Sequence, residues 1–165
     1  MYNELTQKDI DKMNEELDYR VLVLRPQILD EVKFARSHGD LSENAEYHAA
    51  KRERGRNESR IRYLKNMIKT STVISDESRD DEVGLYDKVT ILMAGTKEMT
   101  VGLVTTFGHD SLSGLISKES PVGKAILGKK VGETVTVNVN TEMSYPVKIL
   151  AIDKGAVENK QIYYI

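Results

Sequence analysis

The segment Ser37-His38-Gly39-Asp40-Leu41-Ser42 splits a long helical pattern into two arms, and its reading decides the fold of the first half of the chain. Upstream of it, Ile10, Met13, Leu17, Val21, Leu24, Ile28, Val32 and Ala35 recur at intervals of three and four, the signature of one apolar stripe along a helix. Thr6 stands before this stripe as an N-cap, with Asp9 three residues later as its acidic partner. Pro26 lies inside the stripe, removes one helix hydrogen bond and is expected to bend or break the helix there. Gly39 can take the left-handed conformation that stops the first arm. Downstream, Ser42 is the best N-cap candidate, Glu43 and Glu46 suit the positive end of a new helix, and the pattern runs through Ala45, Ala49 and Ala50 to Ile61, Leu64 and Ile68. Two long helices joined by a short turn run antiparallel, so the expected architecture is a coiled-coil hairpin. Glu43 to Lys69 at ~1.5 Å per residue gives an arm of roughly 40 Å, long and thin enough to serve reach.

The second half changes character. Glycine becomes frequent and β-branched residues dominate from Gly84 onward. Tyr86–Met93 and Glu98–Thr105 are two runs separated by Ala94-Gly95-Thr96-Lys97, a hairpin signal. Leu115–Ser117, Thr134–Asn140 and Tyr145–Asp153 read as further strands, and Pro121–Leu127 as one or two helical turns ending at Gly128. The fold class is therefore α+β, with a small antiparallel β domain after the hairpin. The domain limits read from the sequence are residues 1–75 for the hairpin, an acidic linker over 76–82 and the β domain over 83–165, whose last residues form an extra tail.

With 165 residues, the chain has room for one or two small domains. Hydrophobic residues make up 39%, enough for a core, while 30% charged residues and a mean hydropathy of -0.44 point to a well-wetted surface. The absence of cysteine excludes disulfides, a thiolate nucleophile and a Cys-based zinc site. The charged opening MYNELTQKDIDKMNEELDYR has no signal-peptide core and no run approaches membrane-spanning length, so a cytoplasmic location and no membrane partner are expected. The formal net charge of -2 gives no overall case for nucleic-acid binding, but it averages over opposed segments. Residues 1–31 carry eight acidic and four basic groups, a net of -4, while residues 51–69 carry eight basic and two acidic, a net of +6.

Few residues qualify for chemistry. Asp40 and Glu43 place two carboxylates at the turn of the hairpin. They either form an acidic capping turn or contribute to holding a hard cation such as Mg2+, for which two ligands are too few without water or a partner. Along the second arm, Lys51, Arg52, Arg56 and Arg60 belong to a basic stripe that either pairs with the acidic first arm or faces phosphate. His38 and His48 lack a third metal ligand, and Tyr47 fits packing between the helices better than base stacking. No Ser-His-Asp order, phosphate loop or dinucleotide fingerprint occurs.

The stretch Gly39-Asp40-Leu41-Ser42-Glu43-Asn44-Ala45-Glu46-Tyr47-His48-Ala49-Ala50-Lys51 closely resembles the bacterial Gre transcript-cleavage factors. The likeness extends back through Arg25-Pro26 and Ala35-Arg36 and forward through Arg60-Ile61 to Val73-Ile74. Ser120-Pro121-Val122-Gly123-Lys124-Ala125-Ile126-Leu127-Gly128-Lys129 resembles the family's C-terminal signature. The resemblance implies an antiparallel coiled coil followed by an FKBP-like β domain. It implies a monomeric factor without a cofactor of its own and not itself an enzyme. Its C-terminal domain, through the Ser120-Pro121 region, would dock on RNA polymerase at the mouth of the secondary channel. The coiled coil would then carry Asp40 and Glu43 to the catalytic centre, where they would share Mg2+ with the polymerase and position the water that cuts backtracked nascent RNA near its 3′ end. Lys51, Arg52, Arg56 and Arg60 would face the extruded RNA. Some Gre homologues occupy the channel and inhibit without cleavage, and that is the alternative function. A proline isomerase reading rests on the FKBP-like fold alone, and the second half has few aromatics to line a proline pocket.

Overall fold

The computed structural model describes residues 3–39 and 43–157. Their contacts gather into two units, residues 10–71 and residues 3–9 together with 72–157. No helix among the described residues is long and apolar enough to cross a membrane.

The unit of residues 10–71 is the expected helical hairpin. Its first arm comprises α1 (Gln7–Tyr19), a π-helical turn (Arg20–Leu24) and α2 (Arg25–Arg36), and its second arm is α3 (Ala45–Thr70). Ile28, Val32 and Ala35 of α2 are buried, as the spacing called for; in α3 the expected Ala50, Ile61 and Leu64 are buried together with Met67, whereas Ala45 and Ala49 are exposed and Ile68 is half-buried. The arms are antiparallel. Glu16 meets Arg60, Arg20 meets Asn57, Arg25 meets Glu58, and Ala35 meets Asn44.

Pro26 does not break the helix. It occupies the second position of α2, where the turn before it has already widened, and the Arg25 amide donates to the Arg20 carbonyl five residues back. A wide turn accommodates a residue that has no N–H for the preceding carbonyl and whose ring crowds it. Asn57, 2% exposed, holds this turn from the other arm: its Nδ2 donates to the Arg20 carbonyl at 3.3 Å and its Oδ1 accepts from the Arg20 guanidinium at 3.0 Å.

Glu16 accepts a bidentate pair from Arg60 at 2.8 and 3.0 Å and a further bond from Arg20 at 2.8 Å. Burial alone would favour the neutral acid. The hydrogen bonds and positive charges of Arg60 and Arg20 outweigh it and hold the Glu16 carboxyl below its ordinary value of 4.5. Folding therefore favours the ionised form. Its contribution is complete above the unfolded value and is lost as pH falls through the lowered native one. The melting temperature of the hairpin is expected to be flat from pH 7 to about 5 and to fall in more acid solution. Glu16→Gln should lower it at neutral pH and flatten the acid limb, read by helical circular dichroism against pH.

The second unit is built on a five-stranded sheet in the order β5-β4-β3-β7-β6. Its strands are β3 (Lys88–Met93), β4 (Lys97–Val104), β5 (Leu115–Ser117), β6 (Thr134–Asn138) and β7 (Ser144–Asp153). One short helix, α4 (Pro121–Ile126), sets Ile126 into the core beside Val89, Ile91, Leu103, Val137, Val147 and Ile149, each fully buried and worth about 1.5–3 kcal/mol. The sheet is mixed rather than wholly antiparallel, because β5 pairs parallel to β4 after two 3-10 turns. That pairing also explains β4. Its first four residues are exposed, and the stretch from Val101 to Val104, where β5 joins, is buried throughout.

Two features depart from the sequence-based division. First, β1 (Glu4–Thr6) pairs parallel with β2 (Thr72–Ile74), so Asn3–Asp9 belong to the β unit and the division falls after Ser71 rather than at 75. The Thr6–Asp9 capping box is formed reciprocally, the Thr6 amide donating to Asp9 Oδ2 at 3.0 Å and the Asp9 amide to Thr6 Oγ1 at 3.3 Å. Asp9, 3% exposed, also accepts from the Thr105 hydroxyl at 2.7 Å and the Tyr86 hydroxyl at 3.3 Å. Second, the acidic stretch 76–82 is held to the β unit rather than standing as a linker. Asp81 pairs with Lys130 at 3.0 Å, and the Lys154 ammonium donates to Ser78 Oγ at 2.7 Å, to the Glu82 carbonyl at 2.8 Å and to buried Asp87 at 2.5 Å. The reason is electrostatic: Asp87 is 2% exposed and its charge needs that ammonium.

Candidate functional site

The turn end of the hairpin is organised by one residue that the sequence reading passed over. Asn44, not Ser42, is the observed N-cap of α3: its Oδ1 accepts from the Tyr47 amide at 3.0 Å. The same side chain donates from Nδ2 to the Ala35 carbonyl at 2.7 Å. One amide thus satisfies an orphan donor of one helix and adds a bond to a carbonyl in the last turn of the other, which also accepts from the His38 amide at 3.3 Å, closing the arms on each other. The first arm ends at Arg36 with Ser37 as its C-cap, and Gly39 in the turn beyond takes the expected positive φ, +100, a conformation other residues rarely adopt. Asn44→Ala is expected to cost about 1–2 kcal/mol of local stability and to speed amide exchange at Tyr47 and His48.

Of the two tip carboxylates, Glu43 is exposed and makes no ion pair or hydrogen bond with another described residue. It stands one residue before the Asn44 cap, so the cap fixes the backbone that carries it. Asp40, with Leu41 and Ser42, lies outside the described residues. Among the described residues no group of three His, Asp or Glu side chains could hold a metal ion. The hard oxygen donors of Asp40 and Glu43 suit Mg2+, but two side chains fall short of its octahedral set, so the donor set fits a shared site and not a resident one. Tyr47 packs against Ile28, Val32 and Ala50, and the His38 ring meets Phe34 edge-on at 4.6 Å, so both have structural surroundings.

The basic stripe divides by environment. Lys51 and Arg52 are exposed and form no ion pair among the described residues, and Arg56, 76% exposed, makes only a 3.5 Å surface contact with Glu53. Arg60 is different, because its guanidinium is committed to Glu16 on the other arm. The helical repeat explains the split. Residues 52 and 60 differ by eight positions, which turns Arg60 about 80° away from Arg52. In the C-terminal segment, Ser120 caps α4 by accepting from the Gly123 amide at 3.1 Å, and Pro121, exposed, fills the first helical position.

The comparisons with known proteins agree along the chain. The pattern described as "Transcription elongation factor, N-terminal" matches residues 3–73, and that described as "Transcription elongation factor, GreA/GreB, C-term" matches residues 77–154. The chain belongs to the GreA/GreB family of transcription elongation factors. Transcription elongation factor GreA of Streptococcus pneumoniae serotype 19F is 40% identical over 154 residues, covering 92% of this chain and 96% of that protein. The GreA of Streptococcus sanguinis is 41% identical over 152 residues, covering 91% and 94%. A solved structure of the transcription factor Gfh1 aligns over 92% of this chain and 97% of its own at 21% identity, with a TM-score of 0.46. A Gfh1 of Thermus thermophilus aligns with a TM-score of 0.43 at the same identity, covering 92% of this chain and 99% of its own.

Within this Gre-family chain, sequence reasoning named the tip carboxylates and the basic stripe but missed the residues that hold them. Asn44 had a usable signal, an Asn directly before a helical run with Glu46 in its first turn. Glu16, Arg20 and Asn57 had none, because their roles depend on the register between two segments far apart in sequence.

Proposed function

We propose that this chain stimulates RNA polymerase to cleave backtracked nascent RNA, acting through the polymerase's secondary channel and supplying Asp40 and Glu43 to the reaction. The observation that carries this reading is the clasped tip, where Glu43, an exposed carboxylate with no ion pair or hydrogen bond to another described residue, sits on backbone pinned by Asn44. A carboxylate that no described neighbour engages is available to a partner's site. The Mg2+ of the polymerase's active centre would supply charge stabilisation at the attacking and leaving oxygens. This chain's carboxylates would hold and orient the attacking water and accept its proton as the new phosphorus–oxygen bond forms and the ribose 3′-oxygen leaves. Lys51, Arg52 and Arg56 would meet the phosphates of the extruded strand. The turn at Ser120-Pro121 would contribute to docking, since Pro121 is exposed on a helix whose other face is set in the core.

The test is a reconstituted backtracked elongation complex. Addition of the full chain is expected to release short 3′-terminal RNA fragments and restore extension. Slower elongation with no fragments would replace this reading with that of an inhibitory channel factor.

A further inference from the structure

Tyr63 is the feature of the hairpin that the cleavage reading leaves unused. It is 42% exposed. At about 100° per residue, Arg52, Arg56, Ser59 and Tyr63 fall within a sector of about 60° on α3. Within that sector there is no acidic side chain. The Tyr63 ring is also held from one side. The Arg60 guanidinium lies 5.0 Å from the ring centroid, and Arg60 is itself fixed by its two bonds to Glu16. The chain Glu16–Arg60–Tyr63 therefore gives an aromatic plate backed by a cation and partly open to water. The plate stands in line with two arginines that have little else to bind.

We infer that Tyr63 is a base-stacking platform for single-stranded RNA running along the stripe set by Arg52 and Arg56, and that Arg60 positions the ring rather than binding phosphate. A polyanion with exposed base faces is the ligand that such a row fits: guanidinium groups take phosphates and the ring takes a base, without sequence preference. The inference rests on the reading that extruded RNA meets this face of the hairpin. It adds a length requirement. Tyr63 lies eighteen positions beyond Ala45 along α3, or ~27 Å. A stacked strand at ~3.4 Å per nucleotide needs roughly eight nucleotides to cover that distance. Only deeply backtracked RNA reaches the plate.

The experiment uses the full chain on two reconstituted complexes, one backtracked by three nucleotides and one by twelve. The concentration giving half-maximal cleavage is measured, and a 4-thiouridine near the extruded 3′ end of the longer RNA reports contact by photo-crosslinking. Tyr63→Ala is expected to raise the half-maximal concentration roughly fivefold or more on the twelve-nucleotide complex, to change it less than about twofold on the three-nucleotide complex, and to lose the crosslink. Tyr63→Phe should behave as the parent, and Tyr63→Leu, which keeps apolar bulk, should behave as Tyr63→Ala. If Tyr63→Ala matches the parent on both complexes while Arg52→Glu with Arg56→Glu is impaired, the stacking platform is wrong and the RNA-facing stripe stands. If the double charge reversal also matches the parent, the RNA-facing stripe itself is wrong. Equal impairment of Tyr63→Ala on both complexes, or failure of Tyr63→Phe to rescue, would assign Tyr63 a structural role instead.

Discussion

Replacing Asp40 by Asn together with Glu43 by Gln should reduce stimulated RNA cleavage by about 100-fold or more, the scale lost when groups that transfer or orient a proton are removed. The amides keep the shape of the acids and remove the charge. Glu43 makes no ion pair or hydrogen bond with another described residue, so its neutralisation costs the hairpin little. Asn44 still caps α3 and still holds the Ala35 carbonyl, so the backbone under residue 43 is unchanged. The doubly substituted chain should therefore melt like the parent and compete with it for the polymerase while releasing almost no RNA fragments. A doubly substituted chain that cleaves like the parent would remove the tip from the mechanism. The contrast with Asn44→Ala is informative, because that change removes neither carboxylate and loosens the backbone between Glu43 and α3.

Gly123→Ala should destabilise the β unit by about 3 kcal/mol or more, in the range reserved for a named steric failure. A Cβ at this position would stand 2.1 Å from the Ser117 carbonyl oxygen, 2.9 Å from Ser120 Oγ and 3.0 Å from Lys118 Cα. Backbone atoms cannot move aside as the end of a long side chain can. The Ser117 oxygen is also engaged, accepting from the Ser120 amide at 3.0 Å and the Ser120 hydroxyl at 2.6 Å. Relief of the clash would open this turn, lose the Ser120 cap and withdraw Ile126 from the core. For a unit of this size the melting temperature should fall by roughly 10–20 °C, read by thermal unfolding of the full chain. Gly55→Ala is the control. Gly55 lies within α3 with nothing within 4 Å of a built Cβ, so alanine should be neutral or stabilising by up to about 1 kcal/mol. A melting temperature within two degrees of the parent for Gly123→Ala would show that the turn has slack that the backbone distances do not.

Much of the fold was legible because its signals are local. The three-and-four spacing from Ile10 to Ala35 names a helix face without reference to any other segment, and Thr6 with Asp9 forms the box that its spacing announced. The strands at Lys88–Met93 and Lys97–Val104 were visible from a turn and two β-branched runs. What escaped was non-local. Two three-residue strands, Glu4–Thr6 and Thr72–Ile74, are too short to carry a period, and they pair across most of the hairpin's length in sequence. The parallel partner of β4 could not be chosen from the run Leu115–Ser117, because three residues read alike in either direction. Pro26 was read by its usual effect on an α-helix, and the π-helical turn that accommodates it depends on Asn57 from the other arm.

The sequence by itself determined a helical hairpin bearing an acidic tip and a basic second arm, a sheet-based second half, and the family to which the tip motif belongs. These follow from periodicity, capping chemistry and a gap-free motif, all properties of neighbouring residues. Only the tertiary structure decided which basic residues remain available to a partner. Charge counting treats Arg52, Arg56 and Arg60 alike, but a helix of 3.6 residues per turn carries the third of them round toward Glu16, whose partly buried carboxylate takes it. The tertiary structure likewise decided that Asn44 closes the tip, since the carbonyl it holds comes from the far end of the other arm.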